Sequence, residues 1–190
     1  MGDDPRVMRS KAAILEATAE LISEHGFPGV SIEAVAARSG AAKTTVYRHW
    51  PSREALVIEA FGLCAGPPAA PPDTGTLRGD LLEILSGLAR FLREEGPCAS
   101  MQSLADAARR DPELAALHAA FVAERQRPLL EVLERGVGRG ELPAGLDVQN
   151  AVSVLVGPLF YRAMVSFEPL DDDFVRAVVD GALEGVAAPA

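Results

Sequence analysis

Residues 32–50 hold two short apolar-periodic segments separated by a single glycine, Gly40. That spacing constrains the chain more than any other feature, because it leaves no loop long enough to let the two segments diverge. Ser31 can N-cap the first segment, since its hydroxyl can satisfy an orphan N–H of the opening turn. Gly40 ends it where a residue without Cβ turns cheaply. The second segment runs from about Ala42 and stops before Pro51. Ile32, Val35 and Val46 then face one shared core, and the small Ala36 permits close approach, so the spacing predicts a helix-turn-helix. After Gly40, Lys43, Thr44, Thr45, Tyr47, Arg48 and His49 crowd onto one short helix. Thr and Arg can read base edges, whereas Lys, Thr, Tyr and His can hold phosphates. The positive end of that helix, near Ala42 to Thr44, adds a place for an anion.

Helical periodicity recurs along the chain. Ile14, Ala17, Thr18 and Leu21 share a face of a first helix that His25-Gly26 closes. Pro51-Ser52 leads into a fourth helix over 53–64, and amphipathic stretches follow at 77–95, 98–110, 113–137, 147–165 and 171–186. Pro112 fits a first-turn position, and Pro128 and Pro158 inside helical patterns predict kinks. No strand pattern bounded by hairpin turns is present, so the predicted fold is all-α. Four prolines in 66–72 predict an extended connector over 66–75. A DNA-binding domain over 1–55 is expected, followed by a separate helical domain over 56–190.

A net charge of −9, taken as a sum, argues against a nucleic-acid partner. Its distribution removes the objection. Residues 1–55 carry seven basic and seven acidic side chains, and residues 56–190 carry eleven arginines against twenty acids. The whole acidic excess therefore lies outside the segment predicted to meet DNA. No apolar run of 18 residues predicts a membrane span, and no apolar core follows the first charged residues as in a secretory signal. Cys64 and Cys98 lack a C-x-x-C arrangement and read as isolated thiols. A cytoplasmic protein with no membrane partner is expected.

The segments Ile14-Leu15 through Gly26-Phe27, Ser31-Ile32 with Val35-Ala36, and Ala42-Lys43-Thr44-Thr45-Val46-Tyr47-Arg48-His49-Trp50-Pro51-Ser52-Arg53-Glu54-Ala55-Leu56 resemble the N-terminal domain of TetR-type repressors. Gly157-Pro158-Leu159-Phe160-Tyr161-Arg162, followed by Glu168-Pro169-Leu170, resembles one subgroup of that family's ligand-binding domains. The resemblance implies about nine helices: three for DNA, the rest for dimerisation and an effector pocket. It implies a recognition helix over 42–50, with Thr44, Thr45 and Arg48 toward bases and Lys43, Tyr47 and His49 toward the backbone. Ser31 would cap the preceding helix and touch phosphate, and Ala42 would open the recognition helix. Many relatives carry a hydroxyl residue at the position of Ala42, glycine at Thr44, and Tyr or Phe at Arg48. The operator sequence therefore does not transfer from them. Trp50 stands where Phe is common, and Arg53 where Lys is common.

The resemblance further implies a homodimer through the last two helices, whose Gly157, Gly181 and Gly185 suit close approach across a two-fold axis. An unknown small-molecule effector would be lined by apolar side chains drawn from the bundle: Phe91, Met101, Leu104, Phe121, Leu133, Leu159 and Phe160. Two other classes compete. A helical enzyme needs a catalytic constellation, and none stands out among the solvated charges. A protein-interaction module that had lost DNA binding would not need so polar a helix. Three histidines, at 25, 49 and 118 and without an i,i+4 pair, give no metal site, and no cofactor is expected. Asp171-Asp172-Asp173 reads as a helix N-cap and first turn.

Overall fold

The computed structural model describes residues 5–64, 66, 68–93 and 97–187. Those residues are helical with no strand among them. The helices are α1 (Pro5–His25), α2 (Ile32–Ser39), α3 (Lys43–His49), α4 (Arg53–Cys64), α5 (Leu77–Arg93), α6 (Pro97–Ala108), α7 (Pro112–Gly138), α8 (Val148–Tyr161) and α9 (Asp172–Ala187). A 3-10 turn (Phe27–Gly29) follows α1, and a π turn (Arg162–Ser166) follows α8. The Cys64 and Cys98 side chains lie outside the described residues.

Most helix starts are set by one local device, a short polar residue whose oxygen accepts an orphan N–H of the first turn. Ser31 Oγ accepts from Ala34 N at 3.1 Å, and Ser52 Oγ from Ala55 N at 3.2 Å. Asp111 accepts from Glu113 N and Leu114 N, Asp147 from Gln149 N and Asn150 N, and Asp171 from Phe174 N at 2.8 Å. The acidic run 171–173 is thus a helix cap. Gly40 closes α2 with φ 70°, left-handed backbone that a Cβ would disfavour.

The chain divides into two compact units, one within 1–67 and 96–122, the other within 68–95 and 123–190. In the first, α1 packs on α2 and α4, and α6 packs on α1 and on the 3-10 turn. Its core joins Ile14, Leu21, Val35, Val46, Trp50 and Leu56 to Leu104 and Leu114, which come from α6 and α7. The Phe61 and Phe121 rings meet edge to face at 5.5 Å. The one buried hydroxyl of α1, Thr18, donates to Ile14 O at 2.7 Å. The compact unit that holds the helix-turn-helix therefore includes helices that the sequence reading assigned beyond residue 55.

In the second unit α5 packs on α8 and α9, and α8 packs on α9. Leu77, Leu81, Leu85, Leu133, Leu155, Leu159 and Val179 are buried there. So is a carboxylate, Asp80, at 0% exposure. It accepts from Thr74 N at 2.6 Å, Thr74 Oγ1 at 2.8 Å and Arg135 Nη2 at 3.0 Å, with Arg139 Nη2 at 3.4 Å. Arg135 also donates to Pro72 O, and Glu141 accepts from Leu77 N at 2.8 Å. Burial pushes the Asp80 carboxyl up, but the Thr74 bonds and the Arg135 guanidinium outweigh it and hold it below the usual carboxylate range. The stretch expected as one helix over 147–165 ends earlier as an α-helix. It turns to π geometry at Arg162, then to left-handed backbone at Phe167, φ 55° and 79% exposed.

Candidate nucleic-acid interface

Three features fix α3 to its support. Val46 is fully buried against α2's Val35, and Trp50 just past the helix is 2% exposed. The indole N–H of Trp50 donates to Glu59 Oε2 on α4 at 2.7 Å, so the ring is held at both its apolar body and its polar tip. The α2–α3 turn carries a further bond pair: Ser39 Oγ donates to Val35 O at 2.7 Å and accepts from Ala41 N at 3.3 Å. Arg53 braces the base of the motif, with Nε on Val30 O and Nη2 on Phe27 O, both at 2.6 Å, and its guanidinium 4.0 Å above the Phe27 ring. Ser103 of α6 accepts from Phe27 N at 3.0 Å.

On this support the side chains predicted to meet DNA point outward. Ala42, Lys43, Thr44, Tyr47 and Arg48 are exposed, Tyr47 at 55%, and Thr45 and His49 are half-buried. Arg48 Nη2 donates to Thr45 Oγ1 at 3.2 Å, so two residues predicted to read bases already orient each other. His49 packs edge-on against Trp50, with centroids 5.5 Å apart. Ser31 is half-buried; its oxygen is used in capping α2, and its O–H remains available to donate.

The sequence reading missed the acidic partners of this face. Glu33 in the first turn of α2 accepts from Lys43 Nζ at 2.5 Å. That hydrogen bond, then a bond from its own backbone N–H, holds the Glu33 carboxyl below its ordinary value. Glu24 of α1 accepts from Arg38 Nη2 at 2.8 Å, and Glu59 also binds Lys11 Nζ at 2.8 Å. All three pairs join residues ten or more positions apart on different helices, so no local spacing announces them.

The seven residues predicted to line an effector cavity are divided between the two compact units. Met101, Leu104 and Phe121 pack into the core beneath the helix-turn-helix. Phe91, Leu133, Leu159 and Phe160 lie in the other compact unit, where Leu133 and Leu159 are fully buried. A cleft of about 420 Å³ in that unit is bordered by Leu92, Arg93, Arg162, Phe167 and Leu170, and by none of the seven. Among the described residues no group of three or more His, Cys, Asp or Glu could hold a metal ion. No helix among them is long and apolar enough to cross a membrane.

Comparison with known proteins agrees with this geometry. Residues 14–60 match the family of bacterial regulatory proteins, tetR family, and residues 71–182 match the tetracyclin repressor-like C-terminal domain. An uncharacterised HTH-type transcriptional regulator of Bacillus subtilis, YdeS, is 32% identical over 97% of this chain and 93% of its own length. A DNA-binding transcriptional repressor of Mycobacteroides abscessus is 31% identical over 90% of each chain. The crystal structure of a TetR family transcription regulator superposes with a TM-score of 0.76 at 32% identity, covering 95% of this chain and all of the other. With a braced helix-turn-helix at one end and a matching helical C-terminal domain, the chain belongs to the TetR family of helix-turn-helix transcriptional regulators.

Proposed function

We propose that this regulator is a homodimeric repressor that binds a near-palindromic operator and leaves it when a small molecule binds. The observation that carries the reading is α3: a short helix anchored by Val46 and Trp50 that presents Lys43, Thr44, Tyr47 and Arg48 outward. Thr44, Thr45 and Arg48 contact base edges, and Lys43, Tyr47, His49 and the Ser31 hydroxyl contact phosphates, with Ala42 at the groove wall. Two such helices about 34–36 Å apart enter successive major grooves. The protein works in the cytoplasm and no catalytic step is assigned to it.

Dimerisation through α8 and α9 is supported by an apolar face without a partner among the described residues. Val154, Tyr161 and Val165 are 60%, 58% and 61% exposed and share one side of α8 and its π turn with Gly157. Among the described residues, no atom beyond the chain neighbours and the helix's own backbone lies within 4 Å of where a Cβ would stand at Gly157, Gly181 or Gly185. Such a face is open to a second helix pair. Effector contacts are proposed for the apolar set Phe91, Met101, Leu104, Phe121, Leu133, Leu159 and Phe160. The four half-buried members, Phe91, Met101, Phe121 and Phe160, are those that offer ligand-accessible surface.

Iterative selection of duplexes from a random pool tests the reading. It should enrich an inverted repeat whose affinity falls steeply as salt rises. A Tyr47→Ala, Arg48→Ala double variant should lose at least about 100-fold in affinity for the enriched site while keeping its helical content. Undiminished binding by that variant would falsify the assignment of α3.

A further inference from the structure

The cations of the DNA face are not equally free. Arg48 of α3 is bonded to a neutral hydroxyl, Thr45 Oγ1, and keeps its full charge toward an approaching phosphate. Lys43, at the start of the same helix, is held by Glu33 Oε1 at 2.5 Å. Both partners of that pair are well exposed, Lys43 at 52% and Glu33 at 66% of their side chains, so DNA can reach the ammonium only alongside the carboxylate. An ammonium has three donors on a compact charge, but a phosphate and a carboxylate drawn to the same nitrogen repel each other. Glu33 also has a reason of its own to stay: it sits in the first turn of α2, where the helix dipole favours negative charge.

We propose that Glu33 sets operator affinity by competing with DNA phosphate for the Lys43 ammonium, so that Lys43 contributes to binding only what remains after its carboxylate partner is displaced. The inference rests on α3 being the recognition helix, and it gives a role to a residue of α2, outside that helix. Two opposite roles are physically distinct. A competitor makes Lys43 count for less while Glu33 is present. A positioning residue that steers Lys43 onto phosphate makes it count for more.

The full-length protein and the duplex enriched by its own selection provide the test. Glu33→Gln should tighten binding by about two- to five-fold for each head engaged, the worth of an exposed ion pair. Lys43→Gln should weaken binding little in the wild-type background and clearly more in the Glu33→Gln background. A scrambled duplex of the same length should gain no more than the enriched site. Unchanged or weaker binding by Glu33→Gln would overturn the proposal. So would an equal gain with and without Lys43, which would mean removal of a distant negative charge alone. If no duplex is enriched, or Arg48→Ala leaves binding intact, the reading of α3 fails instead, and the two failures are separate.

Discussion

The two compact units distribute polar and apolar groups in opposite ways. Around α3 the interior is hydrocarbon, with Val35, Val46 and Trp50 buried, and the outward face is charged or hydroxylated. In the other unit a carboxylate, Asp80, is fully buried between two arginines, while Val154, Tyr161 and Val165 face outward. A polar face over an apolar core is complete in water and selects a charged partner. An apolar face in the unit that holds a buried ionic clamp is incomplete in water and selects hydrocarbon, which a second copy of the same helices would supply under the proposed dimer. The clamp itself gains less from its charges than from holding Pro72, Thr74 and Asp80 against Arg135 and Arg139, because ion burial costs nearly as much as the pairing returns.

The comparison can be broken most severely at α8. Val154→Asp puts a charge on the outward apolar face, where burial in a dimer costs several kcal/mol for each copy. Sedimentation should show monomers at concentrations where the wild type is dimeric, with unchanged helical content because Val154 is 60% exposed in the protomer. A dimer that persists would mean that this face is not the interface. Next in size is Asp80→Asn. It leaves Arg135 and Arg139 without their shared carboxylate and should lower unfolding free energy by about 3 kcal/mol in urea titrations. The same residue gives a pH signature. Its folded pKa lies below the unfolded value near 3.8, so its contribution is complete above that value and disappears as pH falls through the lower, folded one. Wild-type stability should therefore drop more steeply than that of Asp80→Asn below about pH 4. The smallest effect belongs to the polar side of the comparison. Ser31→Ala removes the α2 cap and should cost about 1 kcal/mol, whereas Ser31→Asn should restore most of it.

What could be read in the sequence was what neighbours in the chain decide. Ser31, Gly40, Asp147 and Asp171 act on backbone within a few residues, so the helix starts and the turn of the motif follow from spacing alone. The exposed set on α3 follows from helical periodicity about Val46. What could not be read depends on residues far apart in sequence. Lys43 meets Glu33 and Asp80 meets Arg135 through helix packing, and charge composition does not say which acid meets which base. Being large and apolar is all that the sequence offers for the effector residues, and that property is shared by Leu104, which fills a core, and by Phe160, which is only half-buried. The π turn departs from the local periodicity of 147–165, which gives no sign of a break at Arg162.

The packing of α6 against the 3-10 turn has a consequence for how the protein is made. Ile14 and Leu15 share their core with Leu104, Ala108 and Leu114. A nascent chain therefore displays an unfinished apolar surface on its first four helices while residues 68–93 are still emerging. That surface closes only when α6 and the start of α7 arrive from the ribosome. Loop closure over such a span adds little free energy but imposes an order, in which the first four helices are sealed only after 68–93 has been made, and before α8 and α9 complete the other unit. For the same reason, a fragment cut at residue 55 should expose the Phe27 N–H and the hydrocarbon that α6 covers, and should aggregate where the whole chain does not.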